Sequence, residues 1–266
     1  MKAVKYVLVT GAGGGMGKST VALLQAKGYH VFAIDQAAGE SGESCTWLQT
    51  DITDEGSVCR AFTAVSQVTD RLDAIVHFAG IYMLDSLVEL ENKDFEKIFT
   101  VTVQGAFLIN RTFLPLLGKG GRILMTTSEL APLDPLPFTG IYAVTKAALD
   151  KYAYSLRMEL QLLGIHVSVL RAGAVSTDML GVSTAALDRF CKETKLYCCN
   201  ATRFRQIVDK VEARNIAPEK LAAKVGKILL KKRPRFAYAI NRNPLLLLLN
   251  MLPKGMQLWI IKQVLK

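Results

Sequence analysis

Along this chain, short apolar runs bounded by turn residues alternate with longer stretches whose apolar positions recur every three or four residues. The first pattern is that of buried strands and the second that of helices lying against them, so the chain reads as repeated strand–helix–strand units around a parallel sheet. Strands are predicted at residues 6–10, 30–35, 46–50, 74–78, 122–126, 166–172 and 236–240. Helices are predicted at 15–27, 54–68, 92–117 and 139–163. Gly28 and Gly164 sit where a left-handed residue ends a helix, and Thr53 or Asp54 where an N-cap begins one. The expected fold class is α/β, a doubly wound parallel sheet with helices on both faces.

Residues 173–217 form the longest stretch without a strand, a natural place for a lid over a bound substrate. No repeat or low-complexity linker divides the 266 residues, so one domain is expected over 1–240, followed by an appendage over 241–266. The apolar run near the N-terminus stops at Thr10-Gly11 and is followed by glycines. It is too short for the core of a signal peptide and reads as the first strand.

Composition narrows the class. Half of the residues are apolar and 21% are charged, which excludes a disordered tail and a coiled coil. The five cysteines (Cys45, Cys59, Cys191, Cys198 and Cys199) include no CxxC pair and fit a reduced, cytoplasmic protein. His30, His77 and His166 lie apart without ligand spacing, so no metal site is expected. The net charge of +10 belongs to the C-terminal quarter, where residues 200–266 hold 15 Lys and Arg against 3 Asp and Glu. This basic segment merges into the leucine run of 244–253 and then Met256, Leu258, Trp259, Ile260 and Ile261. A nucleic-acid groove has no use for such apolar content, so no nucleic-acid partner is expected. Asn250, Pro253 and Lys254 break the run well short of the ~20 apolar residues that a spanning helix needs. Peripheral contact with an anionic membrane surface remains open, and so does simple packing on protein.

The chemistry begins at residues 10–19, where glycines fall between the first strand and the first helix. Glycines there let the backbone approach phosphate while the helix N-terminus offers free N–H groups. Two readings compete. Gly17-Lys18-Ser19 is one residue away from a P-loop, because Ala12 stands where its leading glycine belongs. Asp35, at the end of the second strand, instead suits the ribose hydroxyls of an adenine dinucleotide, and a nucleotide kinase has no use for it there.

A second signal lies in the helix at 139–163, where Tyr142 and Lys146 stand one turn apart on one face. A lysine cation favours the phenolate, so the pair could serve as an acid/base near neutral pH. Ser128 follows the strand at 122–126, where ligands of parallel sheets bind; by itself it could equally be a turn cap.

Together these residues resemble the short-chain dehydrogenases/reductases. Thr10, Gly11, Gly15 and Gly17, with Met16 between them, match the TGxxxGxG cofactor loop of that family. Asp35 matches its NAD-selecting acid, Asp51 and Ile52 the pair that holds adenine, and Ala79 and Gly80 the end of its NNAG motif. Ser128, Tyr142 and Lys146 match its catalytic serine, tyrosine and lysine. Residues 171–177 look like its PGxxxT stretch, whose backbone near Val175 and whose threonine, here Thr177, hold the nicotinamide carboxamide. Three departures stand out: Ala172 replaces the proline, His77 and Phe78 replace the two asparagines of NNAG, and Thr102 replaces the helix asparagine that completes a catalytic tetrad.

The resemblance implies a Rossmann-type fold, NAD as cofactor, a homo-oligomer, and reversible hydride transfer between a secondary alcohol and a ketone. Tyr142 would exchange the proton, Lys146 would tune it and bind ribose, and Ser128 would steady the oxygen. The basic and apolar C-terminus is similar to the hydroxysteroid and retinol dehydrogenase branch, which implies a steroid-like or other lipophilic substrate. A 3-oxoacyl group is the alternative substrate. A P-loop-like nucleotide-binding protein and a weakly active NAD-sensing protein are the alternatives of another class. Met83, Leu84, Phe138, Leu180, Leu187, Phe190 and Leu196 are the candidates for an apolar pocket wall.

Overall fold

The computed structural model describes residues 5–212 and 214–266, and only the backbone of 178–182 and 209–212. Seven strands form one sheet: β1 (Lys5–Thr10), β2 (Tyr29–Asp35), β3 (Cys45–Gln49), β4 (Leu72–His77), β5 (Leu117–Ser128), β6 (His166–Ala172) and β7 (Ala237–Ile240). Their order across the sheet is β3-β2-β1-β4-β5-β6-β7 and every pairing is parallel. The order reverses between β1 and β4, so a crevice opens beyond their C-terminal ends, the usual ligand site of such sheets.

Side chains alternate across the pleat, which explains how one strand feeds two cores. On one face Leu8, Phe32, Ile75 and Ile123 pack with Val58 of α2 (Glu55–Ser66), Ile109 of α4 (Gly105–Phe113) and Leu149 of α5 (Gly140–Leu160). On the other face Val7, Val9, Val31 and Val76 pack with Leu24 of α1 (Gly15–Ala26) and with Leu221 and Val225 of α8 (Pro218–Leu229). Each such side chain contributes roughly 1.5–3 kcal/mol by leaving water, so the sheet interior dominates the stability. A third apolar cluster lies apart. Leu84 and Phe138 meet Leu187 and Phe190 of α6 (Asp178–Glu193) and Phe204 of α7 (Cys198–Glu212). Leu265, from the last helix, completes it.

All seven predicted strands are present. The helix predicted over 92–117 is broken into α3 (Asn92–Phe99), a π-helical turn at Thr100–Gln104, then α4 and a 3-10 turn at Leu114–Leu116. The residues after 116, read as its end, instead begin β5. At the other boundaries periodicity errs by a residue or two, and the capping chemistry is as read: the Asp54 carboxylate accepts the N–H groups of Gly56 and Ser57, and Gly164 is left-handed with φ 72°. The strand-free stretch carries α6 and α7, tied to the sheet by a parallel bridge between Val175 and Ile216. The C-terminal residues form α9 (Pro244–Met251) and α10 (Lys254–Leu265). Among the described residues no helix is long and apolar enough to cross a membrane.

Candidate active site

The glycine loop is shaped by contacts that no side chain could survive. Gly11 has φ +68°, and a Cβ there would lie 2.5 Å from the Ala79 nitrogen. A Cβ on Gly17 would lie 2.1 Å from the Gly11 carbonyl oxygen, and one on Gly15 would lie 2.7 Å from the Thr177 methyl. β1, the start of α1, the end of β4 and the segment after β6 are thereby drawn together around one cradle. The cavity they enclose has a volume of about 490 Å³ and is lined by Gly11, Gly15, Met16, Gly17, Asp35, Asp51, Ile52, Ala79, Gly80 and Thr177. Ten of the residues singled out for cofactor binding therefore share one wall.

Each is held by its own interactions. Asp35 accepts the N–H of Gly13 on one carboxylate oxygen (2.8 Å) and that of Ala37 on the other (3.0 Å). Asp51 accepts both the N–H and the hydroxyl of Thr53. Val175 is buried and lines the neighbouring cavity. Gln36, Thr53, Tyr82, Lys97 and Val101 also line the glycine-loop cavity. Sequence reasoning missed them, because loop and helix residues that reach a site from outside a motif leave no periodic mark.

The P-loop reading finds no support. Lys18 is exposed, the Ser19 hydroxyl donates to Glu219 of α8, and neither residue lines the cavity. In an N-terminal helical turn, successive side chains fan around the axis, and here the glycine face, not the lysine, meets the crevice.

A second cavity, of about 200 Å³, adjoins the first through Met16, Phe78, Tyr82 and Thr177, which line both. Ser128, Tyr142 and Lys146 line it together. The Ser128 hydroxyl hydrogen-bonds the Tyr142 phenol and favours its ionised form. Burial, reinforced by Tyr82 and Glu129, nevertheless holds the phenol above its ordinary range. Lys146 is buried, its Nζ donates to the Thr126 carbonyl oxygen at 3.4 Å, and it lies 5.7 Å from the Tyr142 ring centroid. Desolvation pushes its pKa down to about 8. Burial thus sets the tyrosine upward, against the expectation that the lysine would lower it.

Thr102 occupies the π-helical turn and is 2% exposed. Among the described residues its hydroxyl has no hydrogen-bond partner. The hydroxyl and the Lys146 ammonium converge near Gly80, where an added Cβ would lie 3.7 Å from the first and 3.3 Å from the second. His77, in place of the first asparagine of NNAG, bonds Asn110 through Nε2 at 2.9 Å, and Asn110 donates to the Tyr152 hydroxyl. The substitution is thus absorbed by a buried polar chain that joins β4 to α4 and α5.

The apolar wall differs from the expected one. Leu84, Phe138, Leu187 and Phe190 belong to the third core, Met83 lines the glycine-loop cavity, and Leu196 is 66% exposed. The Leu180 side chain lies outside the described residues. The actual wall includes Phe78, Leu130, Leu136, Phe204, Ile207 and Leu246. Leu246 belongs to α9, so the C-terminal segment reaches the pocket.

With this geometry in view, comparisons with known proteins are decisive about family. A family model described as short chain dehydrogenase matches residues 5–188. The chain is 32% identical over 176 residues to the 2,3-dihydro-2,3-dihydroxybenzoate dehydrogenase of Escherichia coli, covering 66% of this chain and 71% of that one. It is 24% identical over 233 residues to the 3-ketodihydrosphingosine reductase of Bacteroides thetaiotaomicron, covering 87% and 86%. Among solved structures, a 3-ketoacyl-(acyl-carrier-protein) reductase from Brucella melitensis, complexed with NADH, has the same fold, with a TM-score of 0.72 at 23% identity over 89% and 96% of the two chains. The chain belongs to the short-chain dehydrogenase family, oxidoreductases that work with a nicotinamide cofactor on a Rossmann-type fold.

Proposed function

We propose that this protein is an NAD(H)-dependent oxidoreductase that interconverts a secondary alcohol and a ketone on a lipophilic, steroid-like molecule. The observation that carries it is the meeting of Ser128, Tyr142 and Lys146 in a cavity continuous with the glycine cradle. Bound in that cradle, the cofactor supplies the hydride acceptor or donor. The chain's own residues do the rest. Tyr142 gives a proton to, or takes one from, the substrate oxygen at its Oη. The raised phenol suits donation to a forming alkoxide. Ser128 steadies the same oxygen, and Lys146 brings positive charge and N–H donors toward Gly80 and the cofactor side. Thr102 completes the set by passing a proton between Lys146 and the exterior. The approach of its hydroxyl and that ammonium to the same Gly80 position supports the role.

Asp35 favours NAD over NADP. Its carboxylate, pinned by Gly13 and Ala37, presents negative charge to the part of the cavity where a 2′-phosphate would sit. The apolar wall and the relative named for 3-ketodihydrosphingosine both support a lipophilic substrate. Leu245, Leu248, Met251, Leu258 and Trp259 of α9 and α10 are exposed beside Lys254, Lys262 and Lys266. This pattern suits a helix pair resting on an anionic lipid surface.

The test is NADH formation at 340 nm with NAD or NADP and a panel of hydroxysteroids, retinol and short alcohols. Turnover of a lipophilic alcohol with NAD, abolished in Tyr142→Phe, is expected. Silence across the panel with NAD binding intact would refute the reaction, and faster turnover with NADP would refute the cofactor.

A further inference from the structure

We infer that Glu129 is the specificity-determining residue of the substrate pocket: its carboxylate accepts a hydrogen bond from a hydroxyl or ammonium group that the substrate carries close to its reacting carbon. The inference deepens the function proposed above and rests on it.

Glu129 directly follows Ser128 at the end of β5 and is 7% exposed. It lines the substrate cavity, where it is the only carboxylate among the described residues. It is close enough to Tyr142 for its charge to raise the phenol. A carboxylate facing a mostly apolar cavity beside the residue that must ionise is costly twice over. It loses its hydration, and it disfavours the phenolate. A purely structural acceptor could do its work without lying in that wall.

Part of its role is structural. Oε2 accepts the Asn243 N–H at 2.6 Å, just before α9. Oε1 lies beside Gly173, where an added Cβ would stand 3.0 Å from it. Gly173 and Glu129 both line the cavity, so the carboxyl group stands in the wall a substrate would meet. Arg242 is the positive charge that acts on Glu129, and burial outweighs it. A carboxylate buried in this wall has lost hydration that a donor on the substrate would replace. The shared chemistry is an N–H or O–H next to the carbinol. A plain ketone or alcohol leaves that hydration unreplaced.

Glu129→Gln separates the two duties, because the amide oxygen still accepts the Asn243 N–H while the other end changes from acceptor to donor. The probes are 2-decanol, 1,2-decanediol and 1-amino-2-decanol. Each is measured with cofactor-loaded protein by calorimetric binding and by turnover at 340 nm, and melting temperatures are followed in parallel. The wild-type protein is expected to bind one or both donor-bearing probes about ten- to a hundred-fold more tightly than 2-decanol. Which of the two is favoured tells a hydroxyl ligand from an ammonium ligand. Glu129→Gln is expected to collapse that preference to within about threefold at an unchanged melting temperature. Glu129→Asp, which keeps the charge one methylene further back, should fall between. No preference in the wild-type protein, or a preference that survives Glu129→Gln, overturns the inference. Equal weakening of all three probes with a lowered melting temperature also overturns it and leaves Glu129 as an anchor of α9. A wild-type preference in binding without turnover of any alcohol counts against the proposed reaction and leaves the role of Glu129 standing.

Discussion

A buried threonine whose hydroxyl finds no hydrogen-bond partner among the described residues is a cost the fold carries for a reason. Thr102 is the clearest case, because it also sits in a π-helical turn, a form often found at functional sites. Thr102→Val keeps the shape and removes the unmet hydroxyl. It is expected to leave stability unchanged or raise it by up to about 1 kcal/mol, while kcat falls several-fold with little change in KM. Denaturant titration and steady-state kinetics check the two halves. His77 provides a second residue-scale test. Burial depresses its pKa to about 4 against an ordinary 6.5, so the folded protein holds it neutral. Between those values the unfolded chain binds the extra proton, and stability must fall as pH drops from 6.5 toward 4, by up to about 3 kcal/mol from this group. His77→Asn should flatten that part of a chemical-denaturation stability profile. An unchanged slope would show that His77 titrates normally. The replacement of an asparagine by His77 was legible as a departure. Its partner Asn110, 33 residues away, was not, because nothing in local sequence announces a side-chain pair across two elements.

At the scale of elements, the strands were readable because β1, β2, β4 and β6 are buried on both faces and so appear as unbroken apolar runs. The motif residues were readable for a different reason. Gly11 and Gly17 are forced by backbone contacts and Gly15 by the Thr177 side chain, so their spacing survives as a pattern. The break at Thr100–Gln104 was invisible, since a π-helical turn has no composition of its own and the apolar period runs through it. The pocket wall was misjudged because Phe138, Leu187 and Phe190 share the apolar character of wall residues but face one another. The C-terminal helices show the same limit. Their contacts are long-range: Asn250 accepts the Asp134 N–H, Lys254 pairs with Asp134, and Asn200 donates to the Leu265 carbonyl oxygen. Ending the chain after Arg242 removes Leu246 from the pocket and Leu265 from the third core. The truncated protein is expected to lose more than about 2 kcal/mol and to show a raised KM for lipophilic alcohols. NAD affinity should hold, because every residue of the cradle lies in the part that remains. Loss of NAD binding together with alcohol binding would mean that the helix pair supports the whole fold.

For the whole molecule, the distribution of charge decides what the surface can approach. Residues 200–266 carry 15 basic and 3 acidic side chains, and the same region exposes Leu245, Leu248, Met251, Leu258 and Trp259. Apolar exposure alone would fit a protein partner, and charge alone would fit many polyanions. An anionic bilayer surface would take both at once, as proposed above, with leucine and tryptophan entering the headgroup boundary and lysines meeting lipid phosphate or carboxylate. The helix pair lies beside the substrate cavity through Leu246, so adsorption there would bring the mouth of the site to a phase in which lipophilic alcohols are concentrated. Co-sedimentation with vesicles of phosphatidylcholine, with and without phosphatidylserine, is the direct measurement. Binding is expected only when phosphatidylserine is present, and it should weaken at high salt because the attraction is partly Coulombic. The double change Leu248→Ser and Trp259→Ser removes two exposed apolar groups from the helix pair and none from the cradle or the catalytic cluster. It should weaken vesicle binding at least ten-fold and leave the melting temperature within a few degrees of the parent. Equal binding to neutral vesicles would remove the charge argument. Undiminished binding of the double variant would place the contact elsewhere on the surface.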